Sequence, residues 1–439
     1  MPEFDLLIRN ARLFPEIGIA AGKIISLSNG TAREEIDANG LHIFPGVIDS
    51  HVHFNEPGRT DWEGIETGSR ALAAGGGTLF FDMPLNAHPP TCDAAGFDLK
   101  LAAARKKSIT DFAFWGGLVP GNADKLEELA ARGVIGFKAF MSNSGIEDFS
   151  CVDDPTLKEG MKRAATFKLP VAVHAESETL TSRLARESIA AGKTSIRDYL
   201  ESRPVAAELE AIRRAIDLAG ETGCALHVVH VSSGEGVALI AAAKKSGVDV
   251  TCETCPHYLV LTEDDVAKLG AVAKCAPPLR PAGVQEKLWS HLLAGDVTTI
   301  GSDHSPSPPE LKTDQNFFKV WGGISGIQHT LPLLLTEGLI KRNAALSVLT
   351  GLVATNVARR FNLQGKGQIA VGYDADFVLV DLNQSFTVTK EDLLYRHRQS
   401  PYVGRTLTGR VVQTILRGKT IFKNGKITAT GGGKLIKTK

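Results

Sequence analysis

The sequence predicts an α/β fold: a (β/α)8 TIM barrel carrying a small β-sandwich domain formed by both chain termini. Three observations predict it. Eight short apolar runs alternate with helical patterns through the middle of the chain. The two ends share a different texture, in which short alternating segments are punctuated by turn residues. The first apolar run of the middle ends in His-Val-His-Phe-Asn-Glu. A doubly wound open sheet, the second choice, would carry a glycine-rich phosphate loop at that place.

The elements follow in order. From Phe4 to Phe44 the stretches FDLLIRNARLF, GIAAGKIISLS and REEIDANGLHIF read as a small antiparallel sheet. The same texture returns after residue 366, with Asn424-Gly425 suited to a tight hairpin. Neither end is large enough to bury a core alone. Residues 1–48 and 366–439 are therefore assigned to one composite β-sandwich domain, and residues 49–365 to the barrel. Barrel strands are predicted at 46–54, 78–84, 111–118, 133–141, 170–176, 225–233, 249–258 and 297–306. ADKLEELAARG and AAELEAIRRAIDLAGETG are helical, the second closed by glycine. The tail GGGKLIKTK reads as a frayed end.

Composition narrows the function. The chain has 439 residues, 49 basic and 49 acidic, for a formal net charge of +0. A nucleic-acid binder would carry a basic excess, so no nucleic-acid partner is expected. No apolar run approaches the roughly 20 residues of a membrane span, so no membrane partner is expected either. The start MPEFDLLIRN is unlike a signal peptide, and 6 cysteines are too few for a disulfide framework. A cytoplasmic location is the expectation.

The unusual polar residues fall late on the predicted strands. His51 and His53 end the first, Lys138 the fourth, His174 the fifth, His230 the sixth and Asp303 the eighth. Strand ends of a barrel converge on one mouth, where such groups would meet. Residues i and i+2 of a strand share a face, so His51 and His53 can hold one ion. A solvent-facing pair is the plain alternative, and single histidines such as His174 and His230 are commonly core residues. The joint pattern is what points to metal. Lys138 lies in Gly-Val-Ile-Gly-Phe-Lys-Ala-Phe-Met, a run buried on both faces. As an ammonium it cannot be a ligand. As a carbamate formed with CO2 it becomes an anionic, two-oxygen bridge; otherwise it snorkels to the rim. Asp303 either caps a loop or ligates an ion and carries a proton. His304 should point away, and His257 is left outside the shell. Cys252-Glu-Thr-Cys255 has CxxC spacing but stands alone in a strand. Ser232-Ser233-Gly234 and Asn122 read as helix caps, and Gly75-Gly76-Gly77 as a turn.

These residues resemble the amidohydrolase superfamily, within it the cyclic amidohydrolases that use a carboxylated lysine. The split terminal sheet and Gly-Tyr-Asp-Ala-Asp-Phe-Val extend the resemblance nearly end to end. Four stretches are most similar to the allantoinases. They are His53-Phe-Asn-Glu-Pro-Gly-Arg-Thr-Asp-Trp-Glu-Gly64, Asp82-Met-Pro-Leu-Asn86 with Pro89-Pro-Thr91, Ser302-Asp-His-Ser-Pro-Ser-Pro-Pro-Glu-Leu-Lys312 and Trp321-Gly-Gly-Ile324. Dihydroorotases resemble H-x-H-x-R, with arginine on the substrate carboxylate; Asn55 stands at that position, with Arg59 nearby.

The resemblance implies two divalent metal ions, zinc or else cobalt, manganese or iron. His51, His53 and Asp303 would bind one, His174 and His230 the other, and carboxylated Lys138 would bridge them. Asp303 would be the catalytic proton carrier, opening the hydantoin ring of allantoin to allantoate. Asn55, Asn86 and Cys275 would hold the small-molecule substrate, in a homotetramer. A hydantoinase, dihydropyrimidinase or dihydroorotase, and a non-catalytic scaffold of the same fold, are the competing readings.

Overall fold

A computed structural model describes residues 2–438. Eight parallel strand positions form the barrel. Val47–Val52, Gly77–Asp82 and Asp111–Phe114 make one ladder; Gly116–Gly117, Phe137–Phe140, Val171–His174, Leu226–Val228, Val250–Thr254 and Thr299–Ile300 make the other. The barrel closes where the His53 amide donates to the His304 carbonyl at 2.8 Å and the Ser302 amide donates to the Asp49 carboxylate at 3.0 Å. Every strand residue from Val47 to Val52 and from Gly77 to Asp82 is buried, as parallel strands covered by helices require.

The strands are shorter than the apolar runs that predict them. His53 lies just past Val52, and His230 and Asp303 lie beyond their strands with φ of 40° and 45°. That left-handed backbone breaks the ladder and re-aims the side chain, a cost usually met at functional sites. The run 249–258 also ends early. Pro256 cannot donate to a ladder and instead opens the helix Pro256–Val260. The predicted helix over 205–222 is present, and Gly223 ends it at φ 67°, where a Cβ would be strained.

The ends of the chain form two further sheets. One orders Lys23–Ser26, Glu16–Ala20, Phe4–Arg9 and Ala32–Asp37; the other orders Lys426–Ile427, Lys419–Lys423, Thr406–Leu416, Phe377–Thr387 and His42–Pro45. The first is not purely antiparallel as predicted, since Phe4–Arg9 and Ala32–Asp37 run parallel. Ile8, Ile17, Ile24, Ile43, Phe377 and Ile415 share one buried cluster, so segments from both ends of the sequence close a common core. Asn424 and Gly425 take φ of 49° and 81° in the tight turn between Lys423 and Lys426.

The tail overturns one expectation. Residues 434–436 are not frayed: the Phe112 amide donates to the Lys434 carbonyl at 3.0 Å, and the Ile436 amide to the Phe112 carbonyl at 2.8 Å. The third barrel strand is interrupted at Trp115, and although the Phe114 carbonyl still accepts from the Ile135 amide at 3.0 Å, Phe112 is left without a partner from the fourth strand. The tail satisfies that edge. Asp111 anchors the seam, pairing with Lys366 at 2.7 Å and with Arg417 while accepting from the Lys434 amide at 2.9 Å. Among the described residues no helix is long and apolar enough to cross a membrane.

Candidate active site

The first cluster gathers at the strand ends that close the barrel. Asp303 Oδ1 lies 3.3 Å from His51 Nε2 and 3.4 Å from His53 Nε2. The ligand atoms of His51, His53 and Asp303 all lie within 4.8 Å of one another. Glu253, on the seventh strand, meets His51 Nδ1 at 2.7 Å and accepts from the Ser50 hydroxyl at 2.5 Å. A carboxylate there holds the proton on Nδ1 and leaves the Nε2 lone pair facing Asp303. Burial alone would raise the Asp303 carboxyl, but positive charge carried at His51 and His53 outweighs it and lowers it to about 2.

The second cluster repeats this logic. His174 Nε2 lies 2.8 Å from Glu176, and Glu176 also pairs with Arg203. The proton therefore belongs on Nε2, and His174 Nδ1 offers a lone pair to His230 Nε2 at 3.1 Å. Such a contact takes either a proton or a cation. Phe140 stacks on His174 with centroids 4.6 Å apart, and the His51 and His230 rings are 5.4 Å apart, so the two clusters adjoin.

Lys138 is completely buried beside them, with no hydrogen-bond partner for its Nζ among the described residues. Burial pushes its amine down to about 7, against attraction from Asp303 and Glu253. Burial also lowers His53, His174 and His230, which keeps the imidazoles neutral and able to donate lone pairs. Three features fit a divalent metal centre: an orphaned buried amine, facing imidazole lone pairs, and a carboxylate on the far nitrogen of a histidine in each cluster.

A cavity of about 470 Å³ opens over these groups. Asn86 and Cys275 line it, as do Tyr199, Arg203, Lys274 and Ser305. Asn55 is not brought to its wall: it is 1% exposed, its amide donates to the Pro306 carbonyl at 3.3 Å, and its Oδ1 has no partner. Arg59 is also spent elsewhere, donating to the Asn86 carbonyl at 2.9 Å. His304 points away, accepting from the Gly326 amide at 3.2 Å, as the strand alternation predicts. His257 does come close to Asp303, together with Cys255. Ser233 caps the helix Gly234–Lys245. Asn122 does not cap: its side chain accepts from Val119 and donates to the Cys92 and Gly117 carbonyls, bracing a turn.

The residues behind the candidate ligands escape the strand-end pattern. Glu176 follows His174 by two positions, and Glu253 stands inside a fully buried strand. Acidic residues in such places are signals of their own, because a buried carboxylate needs a partner. Lys274 and Lys312 carried no signal. Lys274 Nζ donates to the Phe317 carbonyl at 2.6 Å and the Val320 carbonyl at 2.5 Å, and lies 4.3 Å from the Tyr199 ring. Lys312 Nζ donates to the carbonyls of Ala271, Trp321 and Gly323 at 3.3, 3.1 and 2.9 Å. The two lysine amino groups fasten the loop 317–323 that walls the cavity.

The description "Amidohydrolase family" matches residues 42–421. An allantoinase of Rubrobacter xylanophilus is 55% identical over 100% of this chain and 98% of its own. An allantoinase of Escherichia coli K12 is 45% identical, covering 95% of each. Among solved structures, the L-hydantoinase (dihydropyrimidinase) of Arthrobacter aurescens superposes with a TM-score of 0.96 at 35% identity, covering 99% of this chain and 100% of that one. With a family match across most of its length, and with relatives this similar end to end, the chain belongs to the amidohydrolase family.

Proposed function

We propose that the chain is a metal-dependent hydrolase that opens the hydantoin-ring amide of (S)-allantoin to give allantoate, a step of purine and ureide breakdown. The observation that carries this reading is end-to-end identity of 45% and 55% with two allantoinases. The cavity supports a neutral substrate. Two of its basic side chains are already engaged, Arg203 by Glu176 and Lys274 by loop carbonyls, so neither is free to grip a carboxylate such as that of dihydroorotate, and the other, Lys319, is exposed on the loop. A ureido-hydantoin asks instead for neutral donors and acceptors, which Asn86, Ser305 and the backbone at Cys275 can offer.

In this reading His51, His53 and Asp303 hold one divalent ion, His174 and His230 the other, and Lys138 joins them as a carbamate made with CO2. Two ions so held supply an acidic water and a Lewis acid for the ring carbonyl. Zinc is the proposed metal; mixed imidazole and carboxylate ligands also admit cobalt, manganese or iron. Asp303 enters the reaction ionised, accepts the proton of the attacking water and returns it to the leaving ring nitrogen. Glu253 and Glu176 hold the two histidines in the tautomers the ions need. Asn55, outside the cavity wall, has the lesser role of bracing the loop at Pro306. The family resemblance supports a cytoplasmic homotetramer.

Turnover of allantoin, measured with metal stoichiometry on one preparation, tests the proposal. Two ions per subunit and a higher kcat/KM for allantoin than for hydantoins, dihydropyrimidines or dihydroorotate are expected. The opposite order would transfer the chain to one of those activities, and protein purified without stoichiometric metal would leave a scaffold.

A further inference from the structure

We propose that Cys255, His257 and Asp303 form a second, inhibitory site for a soft divalent cation. Their ligand atoms lie within 4.8 Å of one another, and of the three only Asp303 is shared with the His51 and His53 cluster. Cys255 and His257 are both completely buried. Neither nitrogen of His257 has a hydrogen-bond partner among the described residues, an unusual state for a buried imidazole. Nothing in the hydrolytic reading uses it. The thiol of Cys255 is free.

The donor types set the ligand. A thiolate with an imidazole selects zinc or cadmium over magnesium, calcium or manganese. Asp303 lines the substrate cavity while Cys255 and His257 lie buried behind it, so an arriving ion would pass Asp303 first. On binding, the Cys255 thiol gives its proton to solvent and the sulfur lone pair forms the bond to the cation. No redox change occurs. The thiolate charge offsets the added positive charge beside the two resident ions. The consequence falls on Asp303. A carboxylate tied to this extra ion can no longer collect and deliver a proton, so excess soft metal switches hydrolysis off while the resident ions stay in place. That last step rests on the proposed role of Asp303; binding itself does not.

Cadmium chloride added to the metal-loaded enzyme tests both parts. The ultraviolet thiolate-to-cadmium band reports binding, elemental analysis reports whether the two resident ions remain, and allantoin turnover is read with and without cadmium in each variant. Wild type should gain one band equivalent, keep its resident ions and slow by about a hundredfold, the worth of a lost proton carrier. Cys255→Ala should show no band and the same turnover with cadmium as without it. His257→Gln, a milder change, should need more cadmium for both effects. Three results would overturn the site: no band in wild type, a band that survives Cys255→Ala but vanishes in Cys275→Ala, or Cys255→Ala inhibited as strongly as wild type. Should allantoin prove not to be the substrate, the band and the ion count still decide the binding.

Discussion

Replacing Glu253 by glutamine tests how the site is wired. Glu253 is completely buried and accepts from His51 Nδ1 at 2.7 Å and from the Ser50 hydroxyl at 2.5 Å. Glutamine keeps the shape and one acceptor but removes the charge. A hydrogen bond to a charged group exceeds a neutral one by about 1–2 kcal/mol, and that difference is about a five- to thirtyfold change in an equilibrium constant. The loss should fall on the binding step proposed for His51 and His53 alone, because Glu176 serves His174 in the other cluster. Dialysed protein titrated with zinc against a competing chelator resolves two binding steps. Glu253→Gln should weaken one step by that factor and leave the other in place, while Glu176→Gln should do the reverse. Equal weakening of both steps by either variant, or no weakening, would refute the assignment of one carboxylate to each ion.

Lys138→Ala should lose metal and activity together, with partial rescue by short carboxylic acids; full activity without rescue would remove the bridge from the reading. Burial holds the Lys138 amine at about 7, so the free amine that adds CO2 predominates above that pH and the ammonium below it. With dissolved CO2 held constant, recarboxylation of metal-stripped protein, followed by ¹³C NMR, should climb through about pH 7 and level off above it. A rise only near the ordinary lysine value of about 10.4 would contradict it. Asp303→Asn should retain much of its metal yet slow turnover by about a hundred- to ten-thousandfold, and wild-type rates would count against the proton carrier. Lys274→Met should raise KM more than it lowers kcat and should speed hydrogen exchange at residues 317–323; unchanged exchange there would mean the loop is held by other contacts.

Much of this was legible in the sequence because the fold and the candidate site obey strong local rules. Parallel strands covered on both faces must read as continuous apolar runs, and a histidine or lysine inside such a run stands out. His51, His53, His174, His230, Lys138 and Asp303 were visible for that reason. What stayed hidden depends on contacts made at long range. Asn55 follows the two histidines as a substrate-gripping residue would, yet the left-handed backbone at φ 63° directs its amide to Pro306. Lys274 and Lys312 bind backbone carbonyls, which every residue possesses, so no residue type marks their partners. The tail looked frayed because glycines and lysines dominate it. Its pairing with Phe112 follows from the break at Trp115, which only the assembled barrel reveals.

The Phe112 seam also bears on how the molecule is made. Asp111 and Phe112 leave the ribosome more than three hundred residues before the segment that completes them. Until Lys366, Arg417 and Lys434 emerge, a nascent barrel carries an uncompensated buried carboxylate and an open backbone edge on one wall. Translation that stalls in this interval leaves a nearly whole catalytic barrel with a sticky flank, the species that a chaperone or a protease would meet.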